Sequence, residues 1–134
     1  MKKAKILLID DDQWIRNSLT MYFQEEGCSI IALETAEEGL EEVGKNNFDV
    51  VIADCRLPGM NGLKFLKKVQ ALQPKSLQIL ITAYKDKNVQ SEARQIGVHD
   101  LIDKPISAET LESSLSYLLS KKSRDKDPEP HERL

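Results

Sequence analysis

Lys5-Ile6-Leu7-Leu8-Ile9-Asp10-Asp11-Asp12 is a short apolar run that stops abruptly at three carboxylates, and Phe48-Asp49-Val50-Val51-Ile52-Ala53-Asp54 repeats the pattern. The second run is apolar at consecutive positions, so both of its faces are buried, as in a central strand of a parallel sheet. Between the two lie helical patterns. Ile15, Leu19, Tyr22 and Phe23 share one stripe, stopped by Gly27; Thr35 with Glu38 forms a capping box for a helix carrying Leu40 and Val43. Ser29–Leu33 reads as the strand between those helices.

The alternation continues to the end. Pro58-Gly59 and Asn61-Gly62 mark a loop, then Leu63, Leu66, Val69 and Leu72 form a stripe closed by Pro74. Leu77–Ile81 is a strand ending at Thr82, followed by a weaker helix with Val89, Ala93 and Ile96 that stops at Gly97. His99–Ile102 is a short strand broken by Lys104-Pro105, and Ser107 can cap a last helix with Leu111, Leu115, Leu118 and Leu119 inside. Strand and helix thus alternate five times. The expected fold is α/β: one doubly wound domain, a five-stranded parallel sheet with right-handed crossovers and helices on both faces. Residues 1–120 form this domain. From Lys121 the composition turns to Lys, Arg, Asp, Glu and Pro, so 121–134 are expected to be a disordered tail or linker stub.

Composition narrows the function. The 134 residues, 40% hydrophobic and 31% charged, suffice for a core without disulfides or structural metal. A net charge of −3 argues against nucleic-acid binding, which needs a cationic face. No apolar run approaches a membrane span. Met1-Lys2-Lys3 resembles the start of an export signal, but the aspartates cut the apolar run short. Cys28 and Cys55 lack Cys-x-x-Cys spacing and fit reduced thiols in a cytoplasmic protein. His99 and His131 stand alone as surface histidines.

In open α/β sheets the site lies at the carboxyl ends of the strands. Here those ends carry Asp10, Asp11 and Asp12, then Asp54, Thr82 and Lys104. Crowded carboxylates repel unless a cation joins them, and an all-oxygen set suits Mg²⁺. An ionised carboxylate is a nucleophile without a general base, and its attack on phosphorus gives an aspartyl phosphate. A lysine neutralises the transferring group, and a threonine hydroxyl donates a hydrogen bond to it. Each residue alone has a bland reading: Asp12 as a helix cap, Asp54 as a turn former, Thr82 as a strand residue, Lys104 as a solvated lysine. Capping suits Asp12, but the readings of Asp54, Thr82 and Lys104 fail together, because all must hold at one end of one sheet.

Leu7-Leu8-Ile9-Asp10-Asp11-Asp12, Val51-Ile52-Ala53-Asp54, Leu57-Pro58-Gly59-Met60-Asn61-Gly62, Ile81-Thr82-Ala83 and Lys104-Pro105 together resemble the ordered motifs of response-regulator receiver domains, a flavodoxin-like fold of two-component signalling. The resemblance runs from about Lys5 to Ser120. It implies that Asp54 accepts a phosphoryl group from a sensor histidine kinase. It also implies that Asp11 ligates Mg²⁺ directly, that Asp10 acts through water, and that the Arg56 carbonyl is a further ligand. Thr82 matches the hydroxyl that moves onto the phosphoryl group and Lys104 the lysine that pairs with it. The Lys104–Pro105 bond is cis in similar proteins, and Asp12 falls outside the acidic pair. An effector protein or domain, or a second copy on phosphorylation, is the implied partner, with no separate substrate turnover. Two departures stand out. Leu101 occupies the position where such domains carry Tyr or Phe, and Arg56 and Tyr84 are bulky residues two places after Asp54 and Thr82. The last helix also lacks the basic residues common where receivers join winged-helix DNA-binding domains.

Two other classes compete. Asp10 and Asp12 have the Asp-x-Asp spacing of a metal-dependent phosphohydrolase with an aspartate nucleophile, although Trp14 stands where such enzymes place a small residue. A receiver-shaped module that is never phosphorylated would not need the full set of acidic residues, Thr82 and Lys104.

Overall fold

The computed structural model describes residues 4–83 and 87–126. Five strands, β1 (Lys5–Ile9), β2 (Ser29–Leu33), β3 (Val50–Asp54), β4 (Leu77–Thr82) and β5 (Asp100–Asp103), alternate with five helices. These are α1 (Gln13–Glu25), α2 (Ala36–Lys45), α3 (Gly62–Leu72), α4 (Lys87–Ile96) and α5 (Ala108–Lys126). The strands form one parallel sheet in the order β2-β1-β3-β4-β5. This is the doubly wound α/β sheet expected from the alternation.

Side chains alternate across a strand, so each strand feeds two cores. Ile6, Leu8, Val50, Ile52, Ile79 and Ile81 meet Leu19 and Phe23 of α1 and Leu111 and Leu115 of α5. Leu7, Ile9, Val51, Ala53 and Leu80 meet Val43 of α2, Phe65, Leu66 and Val69 of α3 and Ala93 of α4. Every residue of β3 is buried, as its unbroken apolar run requires.

Local signals set the helix ends. Asp12 caps α1, its Oδ1 accepting the N–H groups of Trp14 at 2.9 Å and Ile15 at 3.4 Å. Thr35 and Glu38 form the expected capping box of α2, and the Ser107 Oγ accepts the Thr110 N–H at 3.1 Å. Gly27 and Gly97, at φ 89° and 92°, turn the chain out of α1 and α4 in the left-handed region. Asn61-Gly62 begins a helix instead of marking a loop: Asn61 is the N-cap of α3 and Gly62 its first residue. Helix α5 continues to Lys126, so the composition shift at Lys121 is not a helix end, and the last helix, expected to lack basic residues, carries Lys121 and Lys122 in its final turns; lysine and arginine are good helix formers. Residues 127–134, His131 among them, lie outside the described residues, as does Tyr84. No helix among the described residues is long and apolar enough to cross a membrane.

The cap role of Asp12 has a measurable consequence. Asp12→Ala is expected to cost about 1 kcal/mol in urea unfolding, while leaving divalent-cation affinity nearly unchanged. A large loss of cation binding in this variant would place Asp12 in the acidic site instead.

Candidate functional site

The sheet order reverses direction between β1 and β3, and crevices outside the strand ends at such a switch are where α/β sheets bind ligands. Ile9 is in register with Ala53, so Asp10 and Asp54, each one residue further on, emerge side by side. Both are buried, at 0% and 2% exposure, whereas Asp11 is exposed. Carboxylate oxygens of Asp10, Asp11 and Asp54 all lie within 4.8 Å of one another.

Asp54 is held from two sides. Its Oδ2 accepts from Lys104 Nζ at 2.6 Å, and its Oδ1 accepts the Arg56 N–H at 3.1 Å. Lys104 reaches it from the loop after β5, where its own N–H donates to the Thr82 carbonyl at 2.8 Å and the Lys104–Pro105 peptide is cis. Burial lowers the lysine's pKa, but the hydrogen bond and charge of Asp54, with the charges of Asp10 and Asp11, more than offset this and raise it. Thr82 ends β4 one residue past Ile81, the register partner of Asp54, and is buried at the strand end.

Asp10 is less well satisfied. Its Oδ1 accepts the Asp12 N–H at 2.9 Å, but its Oδ2 is buried with no hydrogen-bond partner among the described residues. Burial pushes the carboxyl from its ordinary 3.8 up to about 6; the Asp12 N–H and Lys104 oppose the rise, and the charges of Asp54 and Asp11 add to it. A buried orphan carboxylate oxygen beside two further carboxylates is what a hard divalent cation needs. The donor set therefore fits a metal.

This burial links stability to pH. A carboxyl whose pKa is raised by folding favours the protonated native state, so its contribution is fullest below about pH 4 and is lost as pH rises through about 6. In chelator, Asp10 is expected to cost the domain roughly 2–3 kcal/mol by neutral pH. The difference in urea stability between the wild type and Asp10→Asn, followed from about pH 4 to about pH 7.5, isolates it. The Asn variant should gain relative stability as pH rises, and a flat difference would refute the assignment.

Three contributors were not legible in the sequence. Arg16 on α1 donates to the Asp10 carbonyl at 2.8 Å and ties the acidic loop to the helix. Glu37, in the first turn of α2, accepts the Met60 N–H at 3.2 Å and steadies the loop after β3. Gly62 lies so close to β3 that a Cβ there would stand 2.1 Å from the Asp54 carbonyl oxygen. The spacing from Asp10 to Arg16 is one a helix start can close, but no signal pointed to Glu37. His99, expected on the surface, is exposed, yet its Nδ1 accepts the Gln78 N–H at 3.0 Å, and burial of the ring together with Lys122 lowers its pKa. Leu101 is half-buried among the side chains on the α4 side of the sheet.

Residues 6–116 match the family model of the response regulator receiver domain. The chain belongs to that family. This receiver is 30% identical over 114 residues to a cyclic di-GMP phosphodiesterase of Thermotoga maritima, covering 85% of this chain and 30% of that protein. It is 34% identical over 120 residues to the two-component response regulator PhoP of Pseudomonas aeruginosa, covering 89% of this chain and 53% of the relative. The receiver thus spans between about a third and a half of these curated relatives. In structure it is similar to a CheY-like receiver domain protein from Methanospirillum hungatei, with a TM-score of 0.88 and 27% identity over 92% of this chain and 99% of that one. Receivers of this family work in two-component signalling between histidine kinases and downstream effectors.

Proposed function

We propose that this receiver takes a phosphoryl group onto Asp54 from the phosphohistidine of a sensor kinase, in a reaction that needs Mg²⁺. The observation that carries the reading is Asp54 itself, buried at the end of the central strand, 2.6 Å from Lys104 and among two further carboxylates. One carboxylate oxygen of Asp54 forms the new bond to phosphorus as the bond from phosphorus to the histidine nitrogen breaks. A carboxylate attacks without a general base, and the Arg56 N–H and Lys104 hold this one in place from two sides. Lys104 then passes from the carboxylate to the phosphoryl oxygens, and the Thr82 hydroxyl, at the neighbouring strand end, donates to one of them. Asp10, Asp11, Asp54 and the Arg56 carbonyl would hold the Mg²⁺. When bound, the ion supplies positive charge against the transferring group. The phosphohydrolase alternative loses its second acid, since Asp12 is engaged in capping α1.

The changed strand ends would be read by a protein partner, an effector or a second copy, through the surface of α4, β5 and α5. Leu101 makes this a switch without a ring at that position.

Intact-mass analysis after acetyl phosphate and Mg²⁺ tests the reading. One added phosphoryl group, removed by hydroxylamine as acyl phosphates are, is the expected result. No mass gain under saturating donor and metal, with the protein folded, would overturn it.

A further inference from the structure

On the α4 side of the sheet a groove of about 680 Å³ runs between α3 and α4, its upper end closed by the chain that leaves β3. Its floor is apolar, made by Leu57, Leu63, Val89 and Ile96 with the buried Cys55. Its rim is cationic: among the described residues Arg56, Lys64 and Lys67 line it against a single acid, Glu92. Helix α3 carries Lys64, Lys67 and Lys68 and no acidic residue, in a chain whose net charge is −3. The local sign therefore opposes the global one.

We propose that this groove docks an acidic, amphipathic segment of a partner protein. Apolar side chains of the segment would rest on Leu57, Leu63, Val89 and Ile96, in the manner of a helix or strand laid into a groove. Its carboxylates would face Lys64 and Lys67, which steer the encounter and fix the register more than they add affinity. A nucleic-acid strand fits less well, because single-strand binding relies on aromatic stacking platforms and none of the described residues lining the groove is aromatic. Cys55 and Arg56 follow directly on Asp54, so a bound segment would touch the chain that also holds the acidic site. The docking itself does not depend on Asp54 being phosphorylated.

The test uses the intact chain and a short fluorescent peptide with leucines on one helical face and glutamates on the other. Anisotropy should show saturable binding that weakens with salt. Lys64→Glu with Lys67→Glu should weaken it roughly tenfold or more, and Glu92→Lys should tighten it. All three residues are exposed, so circular dichroism and acetyl phosphate labelling should stay at wild-type levels in these variants. Amide shifts on titration should centre on Cys55–Leu57, α3 and α4. Equal affinity for the lysine variants, equal binding of the same peptide with lysine for glutamate, or shifts centred on α1 would each overturn the proposal. Tighter binding of a single-stranded oligonucleotide than of the acidic peptide would overturn it in favour of nucleic acid.

Discussion

Asp54→Asn is expected to take no phosphoryl group from acetyl phosphate under conditions that label the wild type fully. An amide nitrogen or oxygen lacks the charge that makes a carboxylate a nucleophile without a general base. The substitution also places a neutral group against Lys104 Nζ, where a 2.6 Å ion pair now stands. Among the three carboxylates that gather here, only Asp54 both ends the central strand and is gripped by a lysine. Asp10→Asn and Asp11→Asn should behave differently: each should slow labelling at a fixed Mg²⁺ concentration, with recovery as the metal is raised. The Asp11 variant should need the greater excess of metal. Mass analysis over a metal titration separates the three. Undiminished labelling of the Asp54→Asn variant, or a metal-rescuable defect in it, would move the acceptor elsewhere.

Gly62→Ala is expected to be the most damaging single methyl addition near the site. The new Cβ would lie 2.1 Å from the Asp54 carbonyl oxygen and 2.8 Å from its carbonyl carbon, with the Cys55 Cα at 3.0 Å. These are backbone atoms, so no side chain can rotate away. Either α3 lifts off the end of β3, breaking the Gly62 N–H bond to the Cys55 carbonyl at 3.0 Å, or Asp54 moves. Overpacking in a well-filled core costs about 1–3 kcal/mol and sometimes more; against backbone the upper end is expected. Labelling and cation affinity should fall with it, since either movement disturbs the end of β3 that carries Asp54. Gly44→Ala is the contrasting case: nothing lies within 4 Å of a Cβ there, and in helix α2 the change should stabilise by about 0.5–1 kcal/mol. Urea unfolding of both variants, read beside their labelling rates, checks the opposite signs. Wild-type stability and labelling for Gly62→Ala would mean that the contact is slack.

The polar residues that the fold gathers at this edge of the sheet are legible in the sequence because each ends an apolar run, and a run of that kind is a local property of the chain. Asp10, Asp54 and Thr82 are where the apolar runs of β1, β3 and β4 give way to polar side chains, and Lys104 precedes the proline that breaks β5. The caps at Asp12 and Thr35 were readable for the same reason: a side chain bonding a backbone group two or three residues away depends on little else. The strand order is not local. That β3 lies beside β1, and so brings Asp54 against Asp10, follows from which apolar faces fit together, and no spacing in the chain encodes it. The orphan Oδ2 of Asp10, and the rise of its pKa to about 6, depend on burial that only the closed sheet provides. Gly62 shows the limit most sharply. Beside Asn61 it reads as a turn, because turn residues and close-contact residues are both often glycine; only α3 packed on the end of β3 shows that the missing side chain makes room for the backbone of Asp54.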